Sequence, residues 1–310
     1  MALLGVTREL FEVPPRRAGR DVTVCVGCLC NQKRRLGAIV LGLDRRVTYM
    51  AGDAILGKHD LTSKLFQLPF GFAGAVAGTI PDCERFISFL WEYMEQLKDV
   101  SPPIQLDHIH HVVQHAQFQV IFSHFENALV TKLGLTRQEW LDRRSDTGLR
   151  LEGRELLKKI KPDFSCLIAG FLERCPVLMR VVRNNPPEEI VSHSAIGIGA
   201  RFAIEKLARR TQGPYCTIQR TALALSEALR YARRKSRPYV GPPAYCVILE
   251  PGEGRQFDSQ STILREWSKT INAKNTEVLD RDEYWNQFLP ILVPIPRKTK
   301  QPVSDGWPER

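Results

Sequence analysis

Residues 22–78 carry the pattern that most restricts how this chain can fold. Val22, Thr23, Val24, Cys25, Val26, Gly27, Cys28, Leu29 and Cys30 form an apolar run rich in β-branched side chains. Residues 38–43 form a second apolar run, which ends on Asp44, Arg45 and Arg46. Runs of this length and composition predict two strands, joined through the basic turn of Asn31, Gln32, Lys33, Arg34 and Arg35. Residues 47–50 can continue past the acidic stop. Lys64, Leu65 and Phe66 then lead, with Pro69 at a turn, into a small-residue strand that ends at Gly78. Each part can serve one catalytic need, so the segment reads as an active-site scaffold.

Beyond Gly78 the periodicity changes. Phe86, Leu90, Tyr93 and Leu97 recur at helical spacing over 83–98, with Asp82 as the expected N-cap. Pro102 and Pro103 break the chain, and a long helix is predicted over 107–132, closed by Gly134. Residues 135–160 are charged and partly helical, with a capping-box pattern from Thr136 to Glu139. Two strands follow at 164–171 and 177–182. A glycine-containing turn at 194–199 leads into a helix over 201–210, and Ala222, Leu225, Ala228 and Leu229 share one side of a helix over 217–234. A last apolar strand is read at 244–249. This order predicts an α+β fold: a four-layer αββα sandwich of two antiparallel sheets with helices on both outer faces. The division is an N-terminal arm or propeptide at 1–21, a domain at 22–250 with a helical insert at about 132–160, and a C-terminal extension at 251–310.

Composition narrows the setting. The 310 residues are 43% hydrophobic and 25% charged, as in globular domains. No apolar run is long enough to span a bilayer, and the first residues lack a signal-peptide core, so a cytoplasmic protein without membrane contact is expected. The eight cysteines fit a reducing compartment. Cys28 and Cys30 share one face of their strand and Cys25 the other, and no second pair has zinc-site spacing. His108, His110, His111 and His115 look metal-like, but only His108 with His111, and His111 with His115, share a helix face. That helix reads as a solvated or subunit-facing surface, so no metal and no cofactor is expected. The net charge of +10 permits nucleic-acid binding, but the basic clusters are scattered. They read as solvated surface or as contacts to acidic patches on partner subunits.

The block from Asp44 to Gly78 resembles the proteasome family of N-terminal-nucleophile hydrolases. The similarity extends over about 22–250. Asp44 and Arg46 match the family's Asp-x-Arg, Lys64 the active-site lysine, Gly78 the oxyanion-hole glycine, and Thr23 the nucleophile. The resemblance implies a threonine-type endopeptidase that self-cleaves before Thr23 and works on peptide or unfolded protein inside a ring of like subunits. The freed α-amino group then serves as base, because a peptide nitrogen has no usable lone pair.

This sequence departs from that pattern in three places. Val22 stands where the family has glycine, Ile198 replaces a serine, and no acidic residue occurs between Glu227 and Glu250. A non-catalytic structural subunit with an uncut N-terminus is therefore the alternative. In it Thr23 is a plain strand residue, Lys64 and Asp44 a structural ion pair, and Gly78 a packing glycine. In another register Cys28, which follows Gly27, would be the nucleophile, at the cost of burying the charges of residues 31–35.

Overall fold

The computed structural model describes residues 23–30, 37–44, 47–51, 54–59, 64–99, 103–143, 145–183, 185–237, 239–241, 243–251 and 253–258. The expectations for the N-terminal arm, the turn at 31–35, Arg46 and most of the extension lie outside these residues.

Strand β1 (Cys25–Cys30) alternates strictly. Val24, Val26, Cys28 and Cys30 face one way, into a core with helices α5 (Ala200–Arg209) and α6 (Ile218–Lys235). Cys25 and Leu29 face the other way, toward a second sheet. A period of two places successive side chains on opposite faces, so a strand buried on both sides is apolar throughout. The first sheet is completed by β2 (Ala38–Asp44), β10 (His193–Ile196), β11 (Pro243–Glu250) and β12 (Glu253–Asp258), in the order β10-β1-β2-β11-β12. Residues 253–258, at the start of the C-terminal extension, thus pair with β11.

The second sheet runs β5 (Leu65–Gln67), β6 (Ala73–Gly78), β7 (Phe164–Leu172), β8 (Cys175–Val182) and β9 (Glu188–Glu189), again antiparallel. A separate hairpin is formed by β3 (Val47–Ala51) and β4 (Ala54–His59). Ala73, Ala75 and Ala77 of β6 meet the first sheet, whereas Val76 packs outward. The outer face of this sheet is covered by α1 (Ile80–Gln96) and α2 (Leu106–Ala128), with Phe86 stacked on Phe164 at 4.8 Å. Helices, sheet, sheet and helices therefore stack as the predicted four layers.

Between the sheet-covering helices and β7 lie α3 (Arg137–Asp142) and α4 (Thr147–Lys159). Thr136 forms the capping box expected for it. Trp140 ties this region to α2 through an edge contact with Phe125 at 5.2 Å, and its ring also abuts Gly153.

Asp82 departs from expectation. Thr79 is the N-cap of α1 and Asp82 lies in the first turn. Its carboxylate accepts from His124 Nε2 at 2.6 Å and from the Asp163 amide at 2.9 Å, joining α1, α2 and the start of β7. Burial opposes the charged form, but the His124 and Asp163 hydrogen bonds outweigh it and hold the carboxyl below the usual aspartate range. A depressed carboxyl contributes stability above its unfolded value of about 3.9 and loses it as pH falls through the folded value. Asp82→Asn is therefore expected to lower stability by about 1–3 kcal/mol at neutral pH. The gap from the native chain should close in acid, below about pH 4; urea midpoints across pH test this.

Candidate active site

Three segments converge at one end of the sandwich. Thr23 lies just before β1, and Asp44 is the last residue of β2. The β1–β2 register pairs Cys25 with Leu43, and the Asp44 amide donates to the Val24 carbonyl at 3.2 Å. Thr23 and Asp44 are thereby neighbours across one sheet. Lys64 comes from the other sheet, where its carbonyl accepts from the Val76 amide at 3.2 Å.

The side chains meet in a closed network. Lys64 Nζ donates to Thr23 Oγ1, and Thr23 Oγ1 donates to Asp44 Oδ1. Lys64 Nζ also reaches Asp44 Oδ1 at 3.0 Å. The Val24 amide adds a bond to the same oxygen at 3.1 Å, and the Gly241 amide donates to Asp44 Oδ2 at 2.8 Å. Thr23 and Asp44 are 0% exposed and Lys64 6%. Burying a charged pair at this depth is tolerable only because each carboxylate oxygen has donors and the ammonium has acceptors. The arrangement holds a hydroxyl oxygen against a cation and aims its proton at a carboxylate.

Cys25 lies beneath the network and donates from Sγ to the Val76 carbonyl at 3.5 Å. Burial pushes its thiol up to about 12; Lys64 counteracts this and Asp44 adds to it. It remains a thiol at neutral pH. Cys28 is buried on the other face of β1, in the helix-side core, and burial raises it well above the ordinary range. Its side chain is turned away from Asp44 and Lys64, which removes the geometric basis for Cys28 as nucleophile.

Two glycines are fixed by close backbone approach. Gly78 ends β6 at φ +138, and a Cβ there would lie 2.1 Å from the Asp163 carbonyl oxygen. It stands two residues beyond Val76, or roughly 6–7 Å along the strand from the amide that holds Lys64. Gly197, at φ +88, would place a Cβ 2.2 Å from the Thr23 carbonyl oxygen. The Gly199 amide lies 3.5 Å from that oxygen. Between these glycines Ile198 is 49% exposed.

Of the site residues read from the sequence, Thr23, Asp44 and Lys64 come together, Gly78 ends the strand next to Lys64's own, and Arg46 lies outside the described residues. Gly241 was missed. Its contribution is a backbone N–H, which leaves no signature in side-chain identity.

The αββα layering is that of the proteasome-like N-terminal-nucleophile hydrolase fold. No family model and no curated protein matches the chain. Solved structures do. The Gly-1 mutant of Anbu from Hyphomicrobium sp. strain MC1 is similar at TM-score 0.53 and 14% identity, over 88% of this chain and 99% of that one. A second structure of Anbu from the same strain gives TM-score 0.52 and 16% identity, over 81% and 96%. At such identities the likeness establishes the fold alone. The family assignment read from the sequence is corrected accordingly. The two solved neighbours above are Anbu chains, and no family model supports membership of the proteasome family.

Proposed function

We propose that this chain is a threonine-type peptidase that processes itself before Thr23. The carrying observation is the Thr23 hydroxyl held between Lys64 Nζ and Asp44 Oδ1. In processing, Thr23 Oγ1 adds to the carbonyl carbon of Val22 and the peptide bond to the Thr23 nitrogen breaks. Water then hydrolyses the resulting ester. Residues 1–22 leave with a new carboxyl end, and Thr23 keeps its hydroxyl and gains a free amine. That amine titrates at about 8, close enough to neutral to accept the hydroxyl proton as the oxygen attacks a substrate carbonyl. Lys64 stabilises the oxygen as it gains charge, Asp44 orients Lys64, and the Gly78 N–H is the expected donor to the oxyanion. The acyl-enzyme ester is resolved by a second water. The subunit works in an oligomer of like subunits on peptide or unfolded protein.

Intact mass spectrometry of purified protein tests this reading. Loss of residues 1–22, abolished in Thr23→Ala, is the expected result. A full-length chain under all conditions, unlabelled by a threonine-directed electrophile, overturns it.

A second reading, a non-catalytic subunit with the same fold, is favoured by Ile198. This residue offers no polar group to a freed amine at the turn packed against Thr23. In that case the Lys64–Asp44 pair is structural, and the mass result separates the two.

A further inference from the structure

Gly78 carries no side chain, so its neighbours must fix its place at the end of β6. The Ser165 hydroxyl donates to the Ala77 carbonyl at 3.2 Å. That carbonyl and the Gly78 N–H belong to one planar peptide group, so the contact also sets the direction of the N–H. The Asp163 carbonyl, against which Gly78 rests, accepts from the Thr79 amide at 2.7 Å. The Asp163 amide donates in turn to Asp82 Oδ2 at 2.9 Å.

Only Thr79, Ile80 and Pro81 separate Gly78 from Asp82 in the chain. The buried Asp82 carboxylate therefore closes a short ring, from Gly78 through the first turn of α1 to Asp163 and back. Besides Asp163 it meets Arg85 of its own helix at 3.8 Å and His124 of α2 at 2.6 Å. The Arg85 contact is long and its side chain 39% exposed, so it contributes little. His124 makes the strong contact, a short hydrogen bond to a carboxylate from the helix that covers this sheet.

We propose that His124, acting through Asp82, is a positioning residue for the Gly78 N–H. It touches no reacting atom; it fixes the ring that holds the donor. An oxyanion donor works only within about 2.7–3.1 Å of the oxygen that gains charge. A misplacement of about 1 Å can cost on the order of 100-fold in rate. The proposal rests on the peptidase reading above, with Gly78 as its oxyanion donor. A purely structural His124 would change stability and leave the chemistry of the folded chain as it was.

Hydrolysis of fluorescein-labelled casein, with amide hydrogen exchange on the same full-chain samples, tests it. His124→Leu removes the donor and is expected to lower kcat about 10-fold with KM unchanged. His124→Gln keeps an N–H at similar reach and should restore kcat. Val113→Ala opens a cavity on the buried face of the same helix, about three turns before His124. It should lose stability with kcat unchanged. The Thr79 and Asp163 amides should exchange at least ~10-fold faster in His124→Leu and return toward native in His124→Gln, while those of β1 keep their protection. A native kcat in His124→Leu, a loss carried by KM, no recovery in His124→Gln, an equal fall in Val113→Ala, or unchanged exchange overturns the proposal. A native chain that keeps residues 1–22, or leaves casein intact, removes the peptidase reading instead. The exchange result alone then decides whether His124 holds Gly78 in place.

Discussion

Asp44→Ala is expected to destabilise the fold by about 3–5 kcal/mol, because it removes the carboxylate that pairs with the buried Lys64 ammonium at 3.0 Å. It also leaves the Thr23 hydroxyl, the Val24 amide and the Gly241 amide without their acceptor. For a domain of this size the loss corresponds to a fall in Tm of roughly 6–20 °C. Lys64→Met should cost less than Asp44→Ala, since Asp44 retains three other donors. The double variant Asp44→Leu/Lys64→Met removes both charges and should be more stable than the sum of the single changes implies. Urea unfolding of the set measures this. Strict additivity would mean that the two groups are not coupled in the folded protein, and the network would then not hold in solution.

Gly78→Ala should be of similar size for a different reason. The added Cβ meets the backbone of Asp163 and Phe164 at 2.1 and 2.6 Å, and backbone cannot turn aside as a side chain can. Unfavourable φ and overpacking each cost about 1–3 kcal/mol, giving about 2–6 kcal/mol in all. This cost applies whether or not the Gly78 N–H takes part in catalysis, so stability alone says nothing of an oxyanion role. Gly197→Ala provides the contrast. Its clash falls on the Thr23 carbonyl at 2.2 Å, so it should disturb processing and electrophile labelling at Thr23 beyond what its stability loss explains. Equal effects of the two variants on labelling, once matched for stability, would sink that distinction.

The layers were legible because the apolar periods were clean. Alternation through Val24, Val26 and Cys28 fixed the faces of β1, and Ala222, Leu225, Ala228 and Leu229 fixed the buried side of α6. The short strand β9 and the charged strand β12 were not foreseen. Glu188 and Glu189 pair at a sheet edge, where burial imposes no hydrophobic pattern, and β12 carries polar residues beside β11. Thr23, Asp44 and Lys64, which the fold brings together, stand out in the sequence because their chemistry resides in their side chains. The Gly241 donor and the His124 partner of Asp82 do not, since both depend on contacts between segments far apart in sequence. Asp82 reads as an N-cap in the sequence because an acidic residue suits both the cap and the first turn of a helix.

Cys175, at the start of β8, is the one exposed cysteine; every other thiol in the chain is buried. The native protein therefore carries its own single-site attachment point. A maleimide dye should couple with a stoichiometry of one per chain without engineered substitutions. Energy transfer between donor- and acceptor-labelled pools would then report subunit exchange directly, at concentrations far below those that sedimentation requires.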